Sequence, residues 1–235
     1  MSDDKPYLSI VIPVHNEECR VKRYFKDVAA FIESFPRSVE LVVVNNGSSD
    51  GTAEAVEDFR QFIPNLTLIS EQRRGKGLAV RQGMLAARGD YRFRCDVDLS
   101  MPLSELHKFL PPESDDADVI IGNRLDSEST VTSPFIRNVI RYIFNALLRF
   151  WVLPGIKDCM CGFKCFKGGV AEDLFARSTM DGISFDVELL FLARKRGYTI
   201  KGAPIIWKHN DDSRIHLISD SLKTFVDVLA IKRKH

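Results

Sequence analysis

The sequence predicts an α/β fold, with a mostly parallel, doubly wound sheet flanked by helices. Apolar, strand-like segments alternate with helical segments five times over residues 7–123. The 235 residues are 45% hydrophobic, which is enough to bury a core of ordinary size. Conspicuous polar residues stand at the ends of the strand-like segments, where sheets of this kind bind ligands. Together these observations predict a site for a nucleotide-sized ligand.

The first half of the chain supplies most of the predicted sheet. Residues 7–14 form a continuous apolar run typical of a buried parallel strand. Further strands are predicted at 39–46, 66–70, 90–97 and 118–123. Helices are predicted at 17–35, 52–63 and 78–89, with a short helix after Pro102. Pro36 ends the first helix, whose apolar residues recur at helical spacing.

The second half is predicted to be an elaboration rich in helices. A long helix is predicted at 134–153, followed by a loop that leads into a short strand. Helices at 170–178 and 184–197, a strand at 198–208 and a final amphipathic helix at 217–235 complete the chain. Because no linker or repeat separates the halves, we expect one domain over 1–235. Its nucleotide-binding half would span about 7–125, and its acceptor-facing and membrane-facing half about 126–235.

Composition disfavours several classes of protein. A net charge of +1 does not suggest a nucleic-acid binder. Five cysteines, three of them in CMCGFKC (159–165), fit a reducing cytoplasm better than a secreted disulfide framework. That cluster lacks the paired spacing of a zinc site. The first residues do not resemble a signal peptide. Three arginines interrupt the apolar stretch 135–153, and each costs about 2.5–3.5 kcal/mol at a bilayer centre, so a spanning helix is not expected.

Asp96 and Asp98 are the main candidates for chemistry. They follow an apolar strand one residue apart, and Mg²⁺ in proteins is commonly held by one or two carboxylates plus substrate phosphates. The alternative is a solvated turn. Lys76 lies in the basic, glycine-containing segment RRGKG, which favours anion binding over simple solvent exposure. Asn46 ends the second strand, where its amide could pair with a base edge, whereas Asp50 is expected only to cap the next helix.

Six motifs in series carry a family resemblance: PVHNE, VVNNGSSDGT, RRGKGLAVRQGM, DVDLSMP, GNR and DCMCGFKCF. In this order they resemble family 2 glycosyltransferases of the GT-A (Rossmann-like) fold. More narrowly, the chain is similar to dolichyl-phosphate glucose and mannose synthases and their polyprenyl-phosphate counterparts, from about Leu8 to Lys232. RRGKG followed by DVDLSMP resembles the glucosyl branch more than the mannosyl branch.

The resemblance implies a role for several residues. Pro13 and Glu17 would line the nucleotide pocket, and Asn46 replaces an aspartate that contacts the base in the family. Asp96 would lie near the ribose and the metal, and Asp98 would ligate the Mg²⁺ or Mn²⁺ on the diphosphate. Asp158 and the GFK segment 162–164 match a loop that closes over the sugar and acceptor.

The acceptor site departs from the family at some positions. Ser100 stands where some relatives have a glutamine, and Arg141 replaces the serine of an R-x3-S-x3-N helix pattern. For the acceptor phosphate we expect Arg124, Arg137 and Arg214.

The expected reaction is inverting transfer of a hexose to a polyprenyl or dolichyl phosphate. Such a phosphate has a second pKa near 6, so its oxygen is already a nucleophile at neutral pH and no strong base is needed. UDP-glucose is the favoured donor, with GDP-mannose and UDP-N-acetylglucosamine left open. A glycan hydroxyl acceptor would need a base, and Asp186 or Glu188 could supply one, although both also suit a helix start. A third hypothesis is a nucleotide-sugar-binding protein without turnover.

Helix 135–153 carries a narrow polar stripe of Arg137, Arg141, Asn145 and Arg149. In one interpretation the stripe faces water and the apolar face packs on the core. In the other, the apolar face meets a membrane and the arginines point toward lipid phosphate. The basic C-terminal segment would add attraction to anionic lipid. The expected location is the cytoplasmic face of a membrane, with peripheral attachment.

Overall fold

A computed structural model describes residues 5–114, 116–209, 227–228 and 230–235. Its strands are β1 (Leu8–Val14), β2 (Val39–Asn46), β3 (Leu66–Glu71), β4 (Tyr91–Arg94), β5 (Val119–Asn123), β6 (Thr130–Thr132), β7 (Lys164–Lys167), β8 (Ile200–Pro204) and β9 (Ile206–Lys208). Its α-helices are α1 (Glu18–Ser34), α2 (Thr52–Glu57), α3 (Lys76–Ala86), α4 (Phe135–Trp151), α5 (Gly168–Arg177) and α6 (Phe185–Lys195). Two 3-10 helices span Asp58–Gln61 and Leu103–Phe109.

Seven strands form the central sheet, in the order β3-β2-β1-β4-β7-β5-β8. All neighbours pair in parallel except β7, which is antiparallel to both β4 and β5. The short strands β6 and β9 form a separate parallel pair. The predicted mixed α/β architecture with a mostly parallel sheet is therefore confirmed.

Strands β1 and β2 are interior strands of the sheet, with helices packed on their faces. Six of the seven residues of β1 are buried, as expected for a strand covered on both sides. Helix α3 approaches them closely at Gly83, where an added Cβ would lie 2.5 Å from Val11 Cγ1 and 2.9 Å from Val44 Cγ2. Close packing of α3 fixes the position of the loop that precedes it, which borders the site.

The helix predicted at 52–63 divides into α2 and a 3-10 helix, and the strands differ from the predictions in three places. Strand β4 ends at Arg94 rather than at residue 97, because the backbone turns and Leu99 adopts a left-handed conformation with φ 44°. The predicted strand 198–208 divides into β8 and β9. Between them, the Ile205 N–H donates to Ser129 Oγ and the Ile205 carbonyl accepts the N–H of Thr130. The chain therefore pairs with β5 through β8 and then with β6 through β9. The strand β6 was not predicted, because three residues give too short a pattern.

The C-terminal part of the chain is described only in part. Residues 217–226 and 229 of the predicted final helix lie outside the described residues, and 227–228 and 230–234 are helical. Val228 and Ile231 are buried, and Ser184 Oγ donates a hydrogen bond of 2.5 Å to Asp227 Oδ2. In the ranges that the structure describes, no helix is both long enough and apolar enough to cross a bilayer.

Candidate active site

Two cavities meet at the carboxyl ends of β1, β2 and β4. The first, here called the nucleotide cavity, has a volume of about 380 Å³. The second, the arginine cavity, has a volume of about 200 Å³ and extends beneath α4. Lys76, Asp96, Asp98 and Ile183 line both cavities. The carboxylate pair therefore stands at the boundary between them, as its position after a central strand predicts.

Five residues expected to bind nucleotide all line the nucleotide cavity: Pro13, Glu17, Asn46, Lys76 and Asp96. Pro13 lies within β1, and Glu17 follows the same strand, where Arg20 donates a hydrogen bond of 3.0 Å to its Oε1. The backbone N–H of Glu17 also donates to Thr52 at the start of α2. Asp50 was expected to cap that helix; the N-cap residue is instead Gly51, and Asp50 Oδ1 accepts the Thr52 N–H at 3.1 Å from one position earlier.

Asn46 holds a neighbouring loop in place. Its Nδ2 donates to the carbonyl of Arg73 at 2.6 Å, and its Oδ1 accepts from the N–H of Gly75 at 2.9 Å. Segment 72–75, here called the basic loop, leads directly into α3. The side chain of Asn46 is thus both a donor and an acceptor for this loop. An ionised aspartate at this position could accept the Gly75 N–H but could not donate to the Arg73 carbonyl.

Asp96 is surrounded by cations and by backbone. Its Oδ1 lies 2.8 Å from Lys76 Nζ and 3.5 Å from Arg94 Nη2. An added Cβ at Gly162 would lie only 2.5 Å from its Oδ2. Burial on its own would raise the pKa of Asp96, but the charges of Lys76 and Arg94 outweigh it and hold that pKa well below its usual range. Asp96 is therefore a carboxylate at any physiological pH.

Asp98 has fewer partners than Asp96. Its Oδ1 accepts a hydrogen bond of 3.1 Å from the N–H of Ser100. Within the described residues, no group of three or more His, Cys, Asp or Glu side chains is arranged to hold a metal ion. Two carboxylates that open onto a phosphate-sized space nevertheless fit Mg²⁺ or Mn²⁺, because such ions complete their coordination with substrate phosphates and water.

A buried charge cluster lies directly behind the carboxylate pair. Arg94 is 1% exposed, and its Nη1 donates to both oxygens of Asp186, at 2.9 and 3.2 Å. Lys164 is fully buried and contacts Asp186 Oδ1 at 2.6 Å. Lys164 comes from β7, the antiparallel strand inserted beside β4. From the sequence, Lys164 was expected only as part of the loop segment 162–164, and Arg94 had no predicted role, because the contacts of both with Asp186 join distant segments.

Asp186 and Glu188 occupy different places on α6. Asp186 lines the arginine cavity, but both of its oxygens already accept hydrogen bonds from cations. Glu188 is fully buried and accepts hydrogen bonds from segment 178–180 and from His235. Glu188 lies outside the lining of both cavities. It connects α6 to segment 178–180 and to His235 and does not face a substrate.

Arg124 and Asp158 form a bidentate pair. Arg124 Nε and Nη2 lie 2.8 and 2.9 Å from the two oxygens of Asp158, and the Arg124 N–H donates to Oδ2 at 3.0 Å. Burial opposes both charges, yet their attraction lowers the pKa of Asp158 and raises that of Arg124. Asp158 is fully buried and lies behind Arg124, so it orients that guanidinium toward the arginine cavity.

Arg141 is a half-buried cation of the site that forms no ion pair in the described part of the chain. Its Nη2 donates to Ser133 Oγ at 3.1 Å and to Asn138, whereas its buried Nε and Nη1 have no hydrogen-bond partner among the described residues. Burial, and then the nearby charge of Arg124, lower the pKa of Arg141 to about 10. Its guanidinium lies 5.3 Å from the ring centre of Trp207. An anion in the arginine cavity would compensate this charge.

Helix α4 directs its polar stripe inward. Arg137, Arg141 and Asn145 line the arginine cavity, and Asn145 accepts the N–H of Cys159 at 2.8 Å. The exposed side of α4 is apolar instead: Phe135, Ile136, Tyr142, Ile143, Leu147, Phe150 and Trp151. The interpretation in which the stripe faces water is therefore wrong for these three residues, and only Arg149 of the stripe is exposed.

Two other predictions concern Arg214 and the cysteines. Arg214, expected at the acceptor phosphate, lies outside the described residues. Cys159, Cys161 and Cys165 are buried in the core, and burial raises the pKa of all three thiols, that of Cys159 to about 12. They are protonated packing residues in this structure.

Comparison with known proteins identifies the family. The model of Glycosyl transferase family 2 matches residues 9–175. This chain belongs to glycosyl transferase family 2. It is a glycosyltransferase, and the expectation drawn from the motifs PVHNE through DCMCGFKCF is confirmed.

Curated relatives of this glycosyltransferase extend over nearly its full length. A dolichyl-phosphate beta-glucosyltransferase of Saccharomyces cerevisiae is 33% identical over 251 residues, covering 98% of this chain and 75% of the relative. An enzyme of the same description from Dictyostelium discoideum is 30% identical over 250 residues, covering 99% and 76%.

Solved structures support the fold. Glucosyl-3-phosphoglycerate synthase from Mycobacterium tuberculosis, in complex with Mn²⁺, UDP and glucosyl-3-phosphoglycerate, matches with a TM-score of 0.69 at 19% identity, over 96% of this chain and 80% of that one. A mannosyltransferase from Pyrobaculum calidifontis, in complex with GDP-Man and Mn²⁺, matches with a TM-score of 0.63 at 19% identity, over 99% and 66%. The sheet and its flanking helices therefore have the GT-A arrangement.

Proposed function

We propose that this enzyme transfers glucose, with inversion, from UDP-glucose to the phosphate of a polyprenyl lipid such as dolichyl phosphate. One observation carries the proposal: a carboxylate pair separates a nucleotide cavity from a second cavity lined by arginines. Five cationic side chains and three carboxylates line the arginine cavity, so the cations are in excess by two. Such an excess suits phosphate groups. The names of the curated relatives support the same donor sugar and acceptor.

On the donor side, the residues of the nucleotide cavity would bind and orient the nucleotide. Pro13 and Glu17 would border the base and ribose, with Asn46 holding the basic loop against them. Lys76 would contact the diphosphate. A Mg²⁺ or Mn²⁺ ion held by Asp96 and Asp98 would neutralise charge on the departing diphosphate. The solved neighbours that contain Mn²⁺ with UDP or GDP-mannose support a divalent ion, and leave the base of the donor to be tested.

On the acceptor side, Arg141 and Arg137 on α4 and Arg124 after β5 would bind the lipid phosphate. Arg141 is the strongest candidate, because its buried Nε and Nη1 have no partner in the described part of the chain. Asp158 already compensates the charge of Arg124, so Arg124 would mainly orient the lipid phosphate. Arg214 stays a prediction from the sequence.

The reaction proposed here forms one bond and breaks one. A phosphate oxygen of the acceptor attacks the anomeric carbon, the bond from that carbon to the diphosphate breaks, and the configuration inverts. A lipid phosphate dianion needs no base, and both oxygens of Asp186 are already engaged by Arg94 and Lys164. Asp186 and Asp158 would therefore position cations, and Asp98 would act through the metal. This geometry favours a phosphate over a glycan hydroxyl as acceptor.

The exposed apolar face of α4 would lie on the membrane surface that holds the lipid. Phe135 and Phe150 are 81% and 82% exposed, and both belong to the helix whose opposite side lines the arginine cavity. A lipid phosphate entering the cavity would keep its hydrocarbon chain near this face. The five free cysteines are consistent with a reducing compartment, which supports the cytoplasmic side of the membrane.

Transfer from radiolabelled UDP-glucose, GDP-mannose and UDP-N-acetylglucosamine to a short polyprenyl phosphate tests the proposal. With Mn²⁺ present, UDP-glucose should give an organic-phase product with β configuration, whereas a polyprenyl alcohol, the matched control acceptor, should give none. No lipid-linked product from any donor would reject the proposal. If a glycan acceptor is glucosylated and Asp186→Asn abolishes that transfer while donor binding persists, the hydroxyl-acceptor hypothesis replaces it.

A further inference from the structure

Lys76 forms an ion pair with Asp96, one of the two carboxylates expected to hold the metal ion. Its Nζ lies 2.8 Å from Asp96 Oδ1, and the same oxygen lies 3.5 Å from Arg94 Nη2. The other oxygen faces Gly162, where an added Cβ would lie 2.5 Å away. Oδ1 of Asp96 is thus paired with cations and Oδ2 lies close to Gly162, while 31% of the side chain stays exposed. A divalent cation approaching Asp96 would meet the ammonium group as a like charge.

The backbone next to Lys76 is held in place, whereas the Lys76 side chain is free to turn. The next residue, Gly77, is packed so closely that an added Cβ would lie 2.4 Å from the carbonyl oxygen of Met180. Its N–H also donates to the carbonyl of Asp181 at 2.8 Å. The backbone at the start of α3 is therefore fixed, while the Lys76 side chain is 35% exposed and borders both cavities.

The nucleotide cavity offers Lys76 an alternative partner once it is filled. A diphosphate there would attract the ammonium group, and Lys76 could turn from Asp96 to the phosphates without movement of the helix. Building on the function proposed above, we propose that Lys76 is a counter-ion that exchanges partners. It neutralises Asp96 before the donor binds and moves to the diphosphate afterwards, so that the metal site becomes available only together with the nucleotide.

Binding of Mn²⁺ to the purified full chain tests this exchange. The free-ion EPR signal reports Mn²⁺ affinity without nucleotide and with saturating UDP. In the wild-type protein, UDP should tighten Mn²⁺ binding by about tenfold or more. In Lys76→Met, Mn²⁺ should bind without nucleotide about tenfold more tightly than in the wild type, and the gain from UDP should shrink.

Two further variants serve as controls. Arg74 lines the same cavity, while the ion pairs of Asp96 are with Lys76 and Arg94. Arg74→Met should therefore change the nucleotide-free Mn²⁺ affinity by less than about twofold. Lys76→Arg keeps the charge and should bind Mn²⁺ as weakly as the wild type without nucleotide. If circular dichroism shows that Lys76→Met is unfolded, Lys76→Gln takes its place.

The outcomes separate this inference from the proposed function. If Lys76→Met binds Mn²⁺ without nucleotide no more tightly than the wild type, the exchange is refuted, even where the wild type binds Mn²⁺ with UDP. If the wild type binds neither Mn²⁺ nor UDP, alone or together, the proposed function fails as well.

Discussion

Gly162→Ala probes the contact between the 158–164 segment and Asp96. An added Cβ would lie 2.5 Å from Asp96 Oδ2, whereas ordinary contacts begin at 3.4 Å, so the carboxylate oxygen would have to retreat by about 0.9 Å. The loop itself is tethered, because Lys164 Nζ donates to the carbonyl of Cys161 at 2.5 Å and Gly122 N–H donates to that of Phe163 at 2.9 Å. Asp96 is therefore the group that would move.

The expected loss of Mn²⁺ affinity follows from how little displacement of a ligand a metal site tolerates. Metal–ligand distances are held within about 0.2 Å, and disturbing the groups that orient a ligand costs about 10–100-fold in metal affinity. Gly162→Ala should therefore weaken Mn²⁺ binding in the presence of UDP by about 10–100-fold and lower kcat/KM for the donor to a similar extent. EPR titration and transfer of labelled glucose to a polyprenyl phosphate measure the two effects.

Gly182→Ala is the matched control for this substitution. An added Cβ at Gly182 would have no heavy atom within 4 Å, although the neighbouring Ile183 lines both cavities. Gly182→Ala should keep wild-type metal binding and turnover. Both variants should unfold at close to the wild-type temperature. If Gly162→Ala is folded and binds Mn²⁺ and UDP like the wild type, the proposed role of Asp96 as a metal ligand is refuted.

Four other predictions follow from the same contacts. Asn46→Asp should weaken UDP binding by about tenfold in a thermal-shift titration, because a carboxylate cannot donate to the basic loop, and unchanged binding would contradict this. Asp158→Asn should lower the free energy of unfolding by about 3–5 kcal/mol in urea, because Arg124 loses its charged partner, and a stability equal to the wild type would refute it. Arg141→Gln should raise the KM for the lipid phosphate by about 10–100-fold while the donor KM stays constant; equal changes in both would count against an acceptor role. The rate should fall as the pH drops through about 6, where the lipid phosphate takes up its second proton, and Asp96 stays ionised because its pKa is lowered; an acid limb centred near pH 4 instead would contradict this.

Strand-end residues could be predicted because a parallel sheet brings its carboxyl ends to one edge. The runs that became β1 and β2 are long and apolar, so their ends, and with them Asn46, were located correctly. Asp96 and Asp98 follow the neighbouring strand β4, and Lys76 begins α3 at the same cavity. Local periodicity plus sheet topology was sufficient to bring these side chains to one cavity.

Partners that come from distant segments could not be predicted in this way. Lys164 reaches Asp186 only because β7 inserts antiparallel between β4 and β5, and no local pattern specifies that pairing. The stripe on α4 was recognisable, but its direction was not, since periodicity describes two faces without saying which one is covered. Among the described residues, Arg141 Nε and Nη1 have no hydrogen-bond partner, and this is visible only once α4, Arg124 and Trp207 are brought together.

The inserted strand also explains why one edge of the sheet can serve two phosphorylated substrates. In inverting transfer the acceptor must approach the anomeric carbon from the side opposite the leaving diphosphate. Strand β7 and the segment before it place Gly162 beside Asp96, where the nucleotide cavity ends and the arginine cavity begins. A donor with its diphosphate at Asp96 and Asp98 would therefore present its sugar toward Arg141. The spatial order of acids, sugar and arginines, rather than any single catalytic base, is what this fold contributes to the proposed reaction.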